Sequence, residues 1–128
     1  MARPVEVVAA VAERDGRYLI TRRPEGTHLA GLWEFPGGKI LPGEKPQDAL
    51  RRELKEELGV DAAVGEPIET VDWTYPEKSV RLFFFRCALA GEPTPLEGQE
   101  MRWVAAADLS SFHFPDADAT LIARLSRW

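Results

Sequence analysis

The chain has 128 residues, of which 45% are hydrophobic and 29% charged, and its formal net charge is −5. This composition predicts one globular domain over residues 1–128 with a single core. The acidic balance argues against direct nucleic-acid binding, which needs a basic surface to replace counterions. No stretch is apolar enough to span a membrane, and residues 1–4 show no signal peptide. The lone Cys87 excludes an intrachain disulfide and favours a reducing cytoplasm.

Short apolar, β-branched segments predict strands along most of the chain. They are residues 5–11, 17–22, 32–35, 62–64, 68–73, 80–89 and 100–104. Asp15-Gly16 predicts a hairpin turn between the first two strands. Residues 23–31 contain proline and glycine and predict a loop, and Pro36-Gly37-Gly38 predicts a turn.

Residues 45–58 form the clearest predicted helix, with Pro46 suited to its first position and Gly59 to its end. Residues 106–109 predict a helical turn. Residues 117–127 predict a closing helix with one apolar face, made by Leu121, Ile122 and Leu125. Strands mixed with two helices indicate an α/β or α+β domain.

The first helix places three acids on one side. At 100° per residue, its apolar stripe falls in one narrow sector formed by Leu50, Leu54 and Leu58. Glu53, Glu56 and Glu57 form the neighbouring sector, and carboxylates at this spacing repel by a few tenths of a kcal/mol per pair. A hard divalent cation such as Mg²⁺ would remove that repulsion and would share its coordination shell with phosphate. A solvated, charge-laced helix is the alternative.

The residues from Gly38 to Val60 read GKILPGEKPQDALRRELKEELGV. This segment resembles the Nudix box: a glycine, five residues, Glu, seven residues, then Arg-Glu-aliphatic-x-Glu-Glu-x-Gly-aliphatic. Every fixed position is matched, by Gly38, Glu44, Arg52, Glu53, Leu54, Glu56, Glu57, Gly59 and Val60. The complete match makes the signal strong.

The resemblance extends beyond the box. Segments 22–23, 33–40, 97–99 and 114–118, with His28, look like the MutT-like branch of the Nudix hydrolases. Segments 6–11 and 30–34 also look like the related CTP and methyl-dCTP pyrophosphohydrolases. The fold that the resemblance implies is an α/β/α sandwich, with a mixed β-sheet between helices.

The resemblance also implies a reaction, in which water attacks a phosphorus of a nucleoside triphosphate and releases a nucleoside monophosphate and pyrophosphate. Glu53, Glu56 and Glu57 match the family's ligands for Mg²⁺, which Mn²⁺ could replace, and the Gly38 carbonyl would complete the shell. Glu53 could also be the general base. Glu97 lies in a segment similar to the one that supplies an additional ligand or base.

Other matched positions carry supporting roles. Glu44 either acts on the water or holds its loop, and Arg52 is expected to orient neighbouring carboxylates. Arg23, His28 and Lys39 are candidate phosphate contacts, since arginine offers a bidentate fork and lysine a point charge. The alternative for all three is a solvated surface position.

The base pocket is less defined. Phe35 and Tyr75 are candidates for its wall, with core packing as the alternative for Phe35. Asp118 stands where MutT has an asparagine that reads oxidised guanine. An ionised aspartate only accepts hydrogen bonds, so it could accept from the N7–H of 8-oxoguanine or from the amino group of cytosine. It could donate only if burial kept it protonated. A helix N-cap is the other interpretation of Asp118. Three of the four tryptophans are predicted to pack: Trp33, Trp73 and Trp103.

The resemblance therefore predicts a cytoplasmic pyrophosphohydrolase, monomeric or homodimeric, that acts on oxidised nucleotides such as 8-oxo-dGTP. The alternative substrate is CTP or 5-methyl-dCTP. A non-catalytic, nucleotide-sensing Nudix module is the alternative from another class. It would be favoured by degenerate box carboxylates, which are intact in this chain.

Overall fold

The computed structural model describes residues 3–126, in which seven strands and two α-helices follow one another. In chain order they are β1 (Val5–Arg14), β2 (Arg17–Arg22), β3 (Trp33–Glu34), β4 (Gly37–Lys39), α1 (Pro46–Leu58), β5 (Asp61–Tyr75), β6 (Lys78–Ala90), β7 (Met101–Ala105) and α2 (Ala119–Leu125). Two 3₁₀ segments, Ala106–Ser111 and Asp116–Asp118, precede α2.

Strand β1 is central to a mixed sheet. It runs parallel to β6 and antiparallel to β2 and β4. The antiparallel partner of β6 is β5, while β3 and β7 both pair with β2. Because Val8 pairs with Gly38, the segment that leads into α1 is fixed against the middle of the sheet.

Helices cover both faces of this sheet. Successive strand side chains point to opposite faces, so Val8 and Ala10 of β1 pack in the cluster that contains α1. Ala9 and Val11 pack in the second cluster, with α2 and the first 3₁₀ segment. The predicted α/β/α sandwich with a mixed sheet is confirmed.

Helix α1 is built as predicted. Pro46 occupies its first turn, and Gly59 ends it in the left-handed conformation with φ of 67°. The leucine stripe is fully buried, which fixes the rotation of the helix about its axis. Within residues 3–126, no helix is long and apolar enough to cross a membrane.

The predicted turn at Pro36-Gly37-Gly38 is wrong, because Gly37 and Gly38 belong to strand β4. Glycine is needed here for close approach. A Cβ on Gly37 would collide with the carbonyl group of Val8 on the neighbouring strand.

Later elements differ from the prediction in length and exposure. Segments 62–64 and 68–73 are one strand, β5, with irregular register between Val64 and Glu69. The irregular register interrupts the alternation of apolar residues along β5, so the sequence pattern predicts two strands where the structure has one. The closing helix begins at Ala119, after a 3₁₀ turn, and Arg127 lies outside the described residues. Trp73 is 40% exposed, so its predicted core packing is wrong.

Candidate active site

A cavity of about 410 Å³ lies between the β4–α1 segment, the loop after β2 and the approach to α2. Its size is typical of a small-molecule site. Most of the predicted site residues line it: Arg23, His28, Phe35, Gly38, Lys39, Glu53, Glu57, Tyr75, Glu97 and Asp118. The remaining three are not in its lining: Glu44, Arg52 and Glu56.

Helix α1 presents two of its three clustered acids to the cavity. Glu53 and Glu57 are one turn apart, beside the buried leucine stripe, and both line the cavity. Glu56 lies on the outer side of the same sector, and its side chain is 58% exposed. The rotation set by the buried leucines therefore divides the predicted metal-binding acids into an inner pair and an outer one.

Gly38 lets the Glu53 carboxyl group lie directly against the backbone of β4. A Cβ at Gly38 would be 2.5 Å from Glu53 Oε2 and 2.7 Å from Oε1, closer than such atoms can approach. The missing side chain leaves room for the Glu53 carboxyl group directly against the backbone of this glycine. Hard divalent cations take carboxylate and backbone carbonyl oxygens, so the residue types in this part of the chain fit a metal ion.

Arg52 links the acids of α1 to the preceding loop. Its Nε and Nη2 donate to both oxygens of Glu44, at 2.8 and 3.0 Å. Nη1 donates to Glu53 Oε1 at 3.0 Å and to Glu56 Oε2 at 3.3 Å, and Nη2 also donates to the Lys39 carbonyl at 3.1 Å. The contacts match the predicted orienting role.

Both oxygens of Glu44 are occupied in this network. Besides the Arg52 bonds, Glu44 Oε1 accepts from the Leu41 backbone N–H at 3.0 Å. The hydrogen bond from Arg52, followed by the one from Leu41, lowers the pKa of Glu44 to about 2. Such a carboxylate is a weak proton acceptor. The geometry thus favours the loop-holding role over action on water.

Two acids in the cavity, Glu53 and Glu57, have raised pKa values. Burial, and then the carboxylates of Glu34, Glu53 and Glu97, raise the pKa of Glu57 to about 9. Burial also raises the pKa of Glu53, although Arg52 opposes this. Within residues 3–126, no three His, Cys, Asp or Glu side chains converge into a ready-made metal cage. Mg²⁺ usually binds one or two carboxylates and fills its shell with water and substrate phosphate, so such a cage is unnecessary.

Three cations also line the cavity and are called here the cationic wall: Arg23, Lys39 and Lys78. Arg23 Nη1 donates to Glu34 Oε1 at 2.9 Å, and Arg23 Nε donates to the His28 carbonyl at 2.5 Å. Burial, and then the charges of Lys39 and Arg23, lower the pKa of Lys78. The three cations are thus close enough to repel, as expected for a site that receives an anion.

His28 joins two loops at the cavity. Its Nε2 contacts Glu77 Oε1, which lies in the turn between β5 and β6. Its ring meets Tyr75 edge-on, with the centroids 5.2 Å apart. The Tyr75 hydroxyl in turn accepts from the Ala117 N–H at 3.4 Å. Tyr75 therefore connects the histidine loop to the segment that leads to α2.

The other end of the cavity is apolar apart from one acid. Phe35 is 2% exposed and stacks on Phe114 with centroids 5.4 Å apart, so it is both core and cavity wall. Asp118 is 4% exposed, and burial, with Glu34 adding to it, raises its pKa to about 8. Within the described chain, its side chain makes no capping hydrogen bond to α2. Asp118 therefore occupies the N-cap position of α2 without acting as a side-chain cap.

Two charged lining residues, Glu34 and Lys78, are absent from the sequence prediction. Glu34 directly precedes Phe35, and strand alternation suggests that it points away from the pocket, yet both side chains line it. Lys78 begins β6, where it pairs with Tyr75 of β5, and the parallel pairing of β6 with β1 holds this end of the strand at the cavity. No local pattern marks either residue.

Comparison with known proteins covers this whole region. A family model for the NUDIX domain matches residues 7–124, which include every residue of the cavity lining. The chain is 42% identical over 123 residues to an 8-oxo-dGTP diphosphatase of Haemophilus influenzae, covering 94% of this chain and 90% of that one. It is 37% identical over 119 residues to a CTP pyrophosphohydrolase of Escherichia coli, covering 92% and 88%.

The fold also matches that of solved structures. A crystal structure of a MutT protein from Methanosarcina mazei superposes with a TM-score of 0.87 at 26% sequence identity. The alignment covers 99% of this chain and 96% of that one. Similarity in sequence and in fold therefore extends over the same residues as the cavity.

Proposed function

The chain belongs to the Nudix hydrolases, enzymes that act on phosphoanhydride bonds, and from this membership we propose that it converts a nucleoside triphosphate to the monophosphate and pyrophosphate. We further propose that oxidised nucleotides such as 8-oxo-dGTP are its preferred substrates. The observation that carries both statements is a single cavity whose lining combines the acids of helix α1, three cations and the buried carboxyl group of Asp118.

Nudix hydrolases generally need a divalent metal ion, and we propose Mg²⁺, with Mn²⁺ able to replace it. The Gly38 carbonyl with Glu53, Glu56, Glu57 and Glu97 would hold it. When bound, such an ion neutralises phosphate charge and polarises the attacked phosphoryl group. The raised pKa of Glu57 supports this assignment, because a cation restores the ionised form of a crowded carboxylate.

The proton of the attacking water needs an acceptor on the same wall. Glu53 is the best candidate, because it lines the cavity and Arg52 fixes one of its oxygens at 3.0 Å, leaving the other free to accept. Glu97 is the second candidate on position alone. Glu44 is assigned to holding Arg52, for the reasons of hydrogen bonding and pKa given above.

The cationic wall suits the phosphate chain. Arg23 has its guanidinium fixed by Glu34 and the His28 carbonyl, so little side-chain freedom is lost when phosphate binds. Lys39 and Lys78 add point charges on the same side, and His28 contributes a ring nitrogen. Charge-assisted bonds to phosphate are the strong ones.

The raised pKa of Asp118 supports the proposal that the substrate carries an oxidised purine. At neutral pH, a carboxyl group with a pKa of about 8 is largely protonated, so it offers both an O–H donor and a carbonyl acceptor. It could then accept from the N7–H of 8-oxoguanine and donate to the O6 carbonyl, as an asparagine amide does. Phe35 and Tyr75 supply the walls for the ring.

CTP or 5-methyl-dCTP remains the alternative substrate. An acceptor oxygen on Asp118 could take a hydrogen bond from the cytosine amino group, and one relative is a CTP pyrophosphohydrolase. The cavity has room for either base.

A hydrolysis screen tests the proposal. The protein would be incubated with Mg²⁺ and canonical, oxidised or methylated nucleoside triphosphates, and the products identified by chromatography. We expect monophosphate and pyrophosphate, with the highest kcat/KM for 8-oxo-dGTP. Preference for cytosine nucleotides would favour the alternative substrate. Nucleotide binding without any hydrolysis would support a sensing module and overturn the proposed function.

A further inference from the structure

The loop that carries Glu97 also caps the C-terminal end of helix α1. The last carbonyl groups of a helix have no partner inside the helix and must find one elsewhere. Here the backbone N–H of Thr94 donates to the Leu58 carbonyl at 2.9 Å, and that of Leu96 donates to the Glu57 carbonyl at 3.0 Å. The loop is therefore attached to the same turn of helix that presents Glu57 to the cavity.

Gln99 adds a second attachment through its side chain. Its Nε2 donates to the Glu57 carbonyl at 3.3 Å, and its Oε1 accepts from the Glu97 backbone N–H at 2.9 Å. Only the nitrogen of an amide can donate and only its oxygen can accept, so the two bonds fix the amide in one orientation. Gly98, with φ of 73°, allows the turn that brings Gln99 back over Glu97.

This attachment acts against electrostatic repulsion. Glu97 lines the cavity and is close enough for its charge to act on Glu34, Glu53 and Glu57. An exposed loop carboxylate with three acidic neighbours gains free energy by moving away from them. The amide of Gln99 ties the Glu97 backbone to the helix and limits that movement.

We propose that Gln99 is a positioning residue, which holds Glu97 beside the acids of helix α1 so that Glu97 can serve the metal ion or the attacking water. The inference rests on the proposed function of the cavity and adds to it a residue with no contact to the substrate. It explains why the Gln99 side chain bonds to the backbones of Glu57 and Glu97, which are both proposed to bind the metal ion.

A double-mutant cycle tests it. Gln99→Met keeps much of the side-chain volume and removes both hydrogen bonds, while Glu97→Gln removes the charge that Gln99 is proposed to position. We expect Gln99→Met to lower kcat for the preferred nucleotide by about 10- to 100-fold, the usual effect of losing an outer-shell partner. In the Glu97→Gln background, the same change should cost about twofold or less, because the two act as one unit. Additive losses would overturn the proposal.

Two further measurements separate positioning from a general structural effect. Titration with Mn²⁺ alone should show weaker binding in Gln99→Met than in the wild type, and unchanged binding in Gln47→Met, an exposed glutamine at the start of the same helix. Amide hydrogen exchange should speed up at Glu97 and stay slow at Leu96, whose N–H keeps its own bond to Glu57. Unchanged Mn²⁺ binding together with unchanged Glu97 exchange would contradict the proposal.

The proposed function and this inference fail in different ways. A wild-type protein that releases no pyrophosphate from any nucleotide would overturn the function, and the Mn²⁺ titration and amide exchange would still decide the role of Gln99. A wild-type protein that hydrolyses normally, with additive losses in the cycle, would overturn the inference alone.

Discussion

The two ends of the cavity hold buried carboxyl groups with raised pKa values, but these groups differ in the number of acids around them. At the helix end, burial and then three neighbouring carboxylates raise the pKa of Glu57, while Arg52 donates a hydrogen bond to Glu53. At the base end, Asp118 is raised by burial, and Glu34 is the one acid that adds to it. Burial is the largest cause at both ends, and like charge adds to it from three carboxylates at the first end and from one at the second.

This difference predicts how each end responds to a divalent cation. A cation at the helix end cancels the mutual repulsion there and favours ionised carboxylates. It leaves the desolvation of Asp118 unchanged, so that group stays largely protonated at neutral pH. One cavity can therefore hold ionised acids for the phosphate chemistry and a neutral acid for the base. Changes at either end test whether the two are as distinct as the structure indicates.

The largest effect is expected from Glu53→Gln, which removes one of the acids at the helix end of the cavity. Glutamine keeps the shape of the side chain but can neither take a proton from water nor neutralise a cation. We expect kcat for pyrophosphate release to fall by about 1000-fold or more, with the fold intact. Assays of released pyrophosphate would measure kcat, and circular dichroism would show whether the fold is intact. Asp48→Asn, an exposed change on the same helix, should have no effect. Near-wild-type turnover in Glu53→Gln would remove the basis for the metal-binding helix.

Arg52→Lys should have the next largest effect, because it weakens the hydrogen bonds that hold the acids at the helix end without removing an acid. Lysine has no planar fork, so it cannot reproduce the paired bonds to Glu44 together with the bond to Glu53. We expect kcat to fall by about 10- to 100-fold. The matched control is Arg51→Lys, since Arg51 pairs with Asp48 on the solvent side. Equal losses in the two variants, measured by steady-state kinetics, would show that the Arg52 network has no special role.

Asp118→Asn tests whether the carboxyl group at the base end donates a hydrogen bond to the base. The wild-type carboxyl group loses its donor as the pH rises through about 8, whereas the asparagine keeps both a donor and an acceptor. We therefore expect kcat/KM of the wild type for 8-oxo-dGTP to fall by about fivefold to tenfold relative to the variant above that pH. CTP, which needs only an acceptor, should show a smaller change. An identical pH profile for both substrates in both proteins would mean that Asp118 does not read the base.

The sequence predicts the helix end better than the base end, and the reason is physical. The acids, the leucine stripe and Gly59 act within one helix, so periodicity and spacing are sufficient. The role of Gly38 could be suggested by resemblance, but its contact with Glu53 depends on β4 pairing with β1. Lys78 and the hydrogen bonds of Gln99 depend on contacts between distant segments. The burial that protonates Asp118 likewise results from packing, which no local pattern records.

The last expected effect is on stability, and it tests the burial of Asp118 separately from catalysis. A carboxyl group whose pKa is raised from 3.8 to about 8 on folding binds more protons in the folded state between these values. Its contribution to the free energy of unfolding is therefore full below pH 4 and is lost as the pH rises through about 8. Asparagine does not titrate, so Asp118→Asn should gain stability relative to the wild type as the pH increases. Between pH 5.5 and pH 8.5 we expect a relative gain of about 1–3 kcal/mol in urea denaturation. Asp116→Asn, an exposed neighbour, should show a constant difference from the wild type. If Asp118→Asn also showed a constant difference, Asp118 would be ionised in the folded protein, and the two ends of the cavity would hold the same kind of acid.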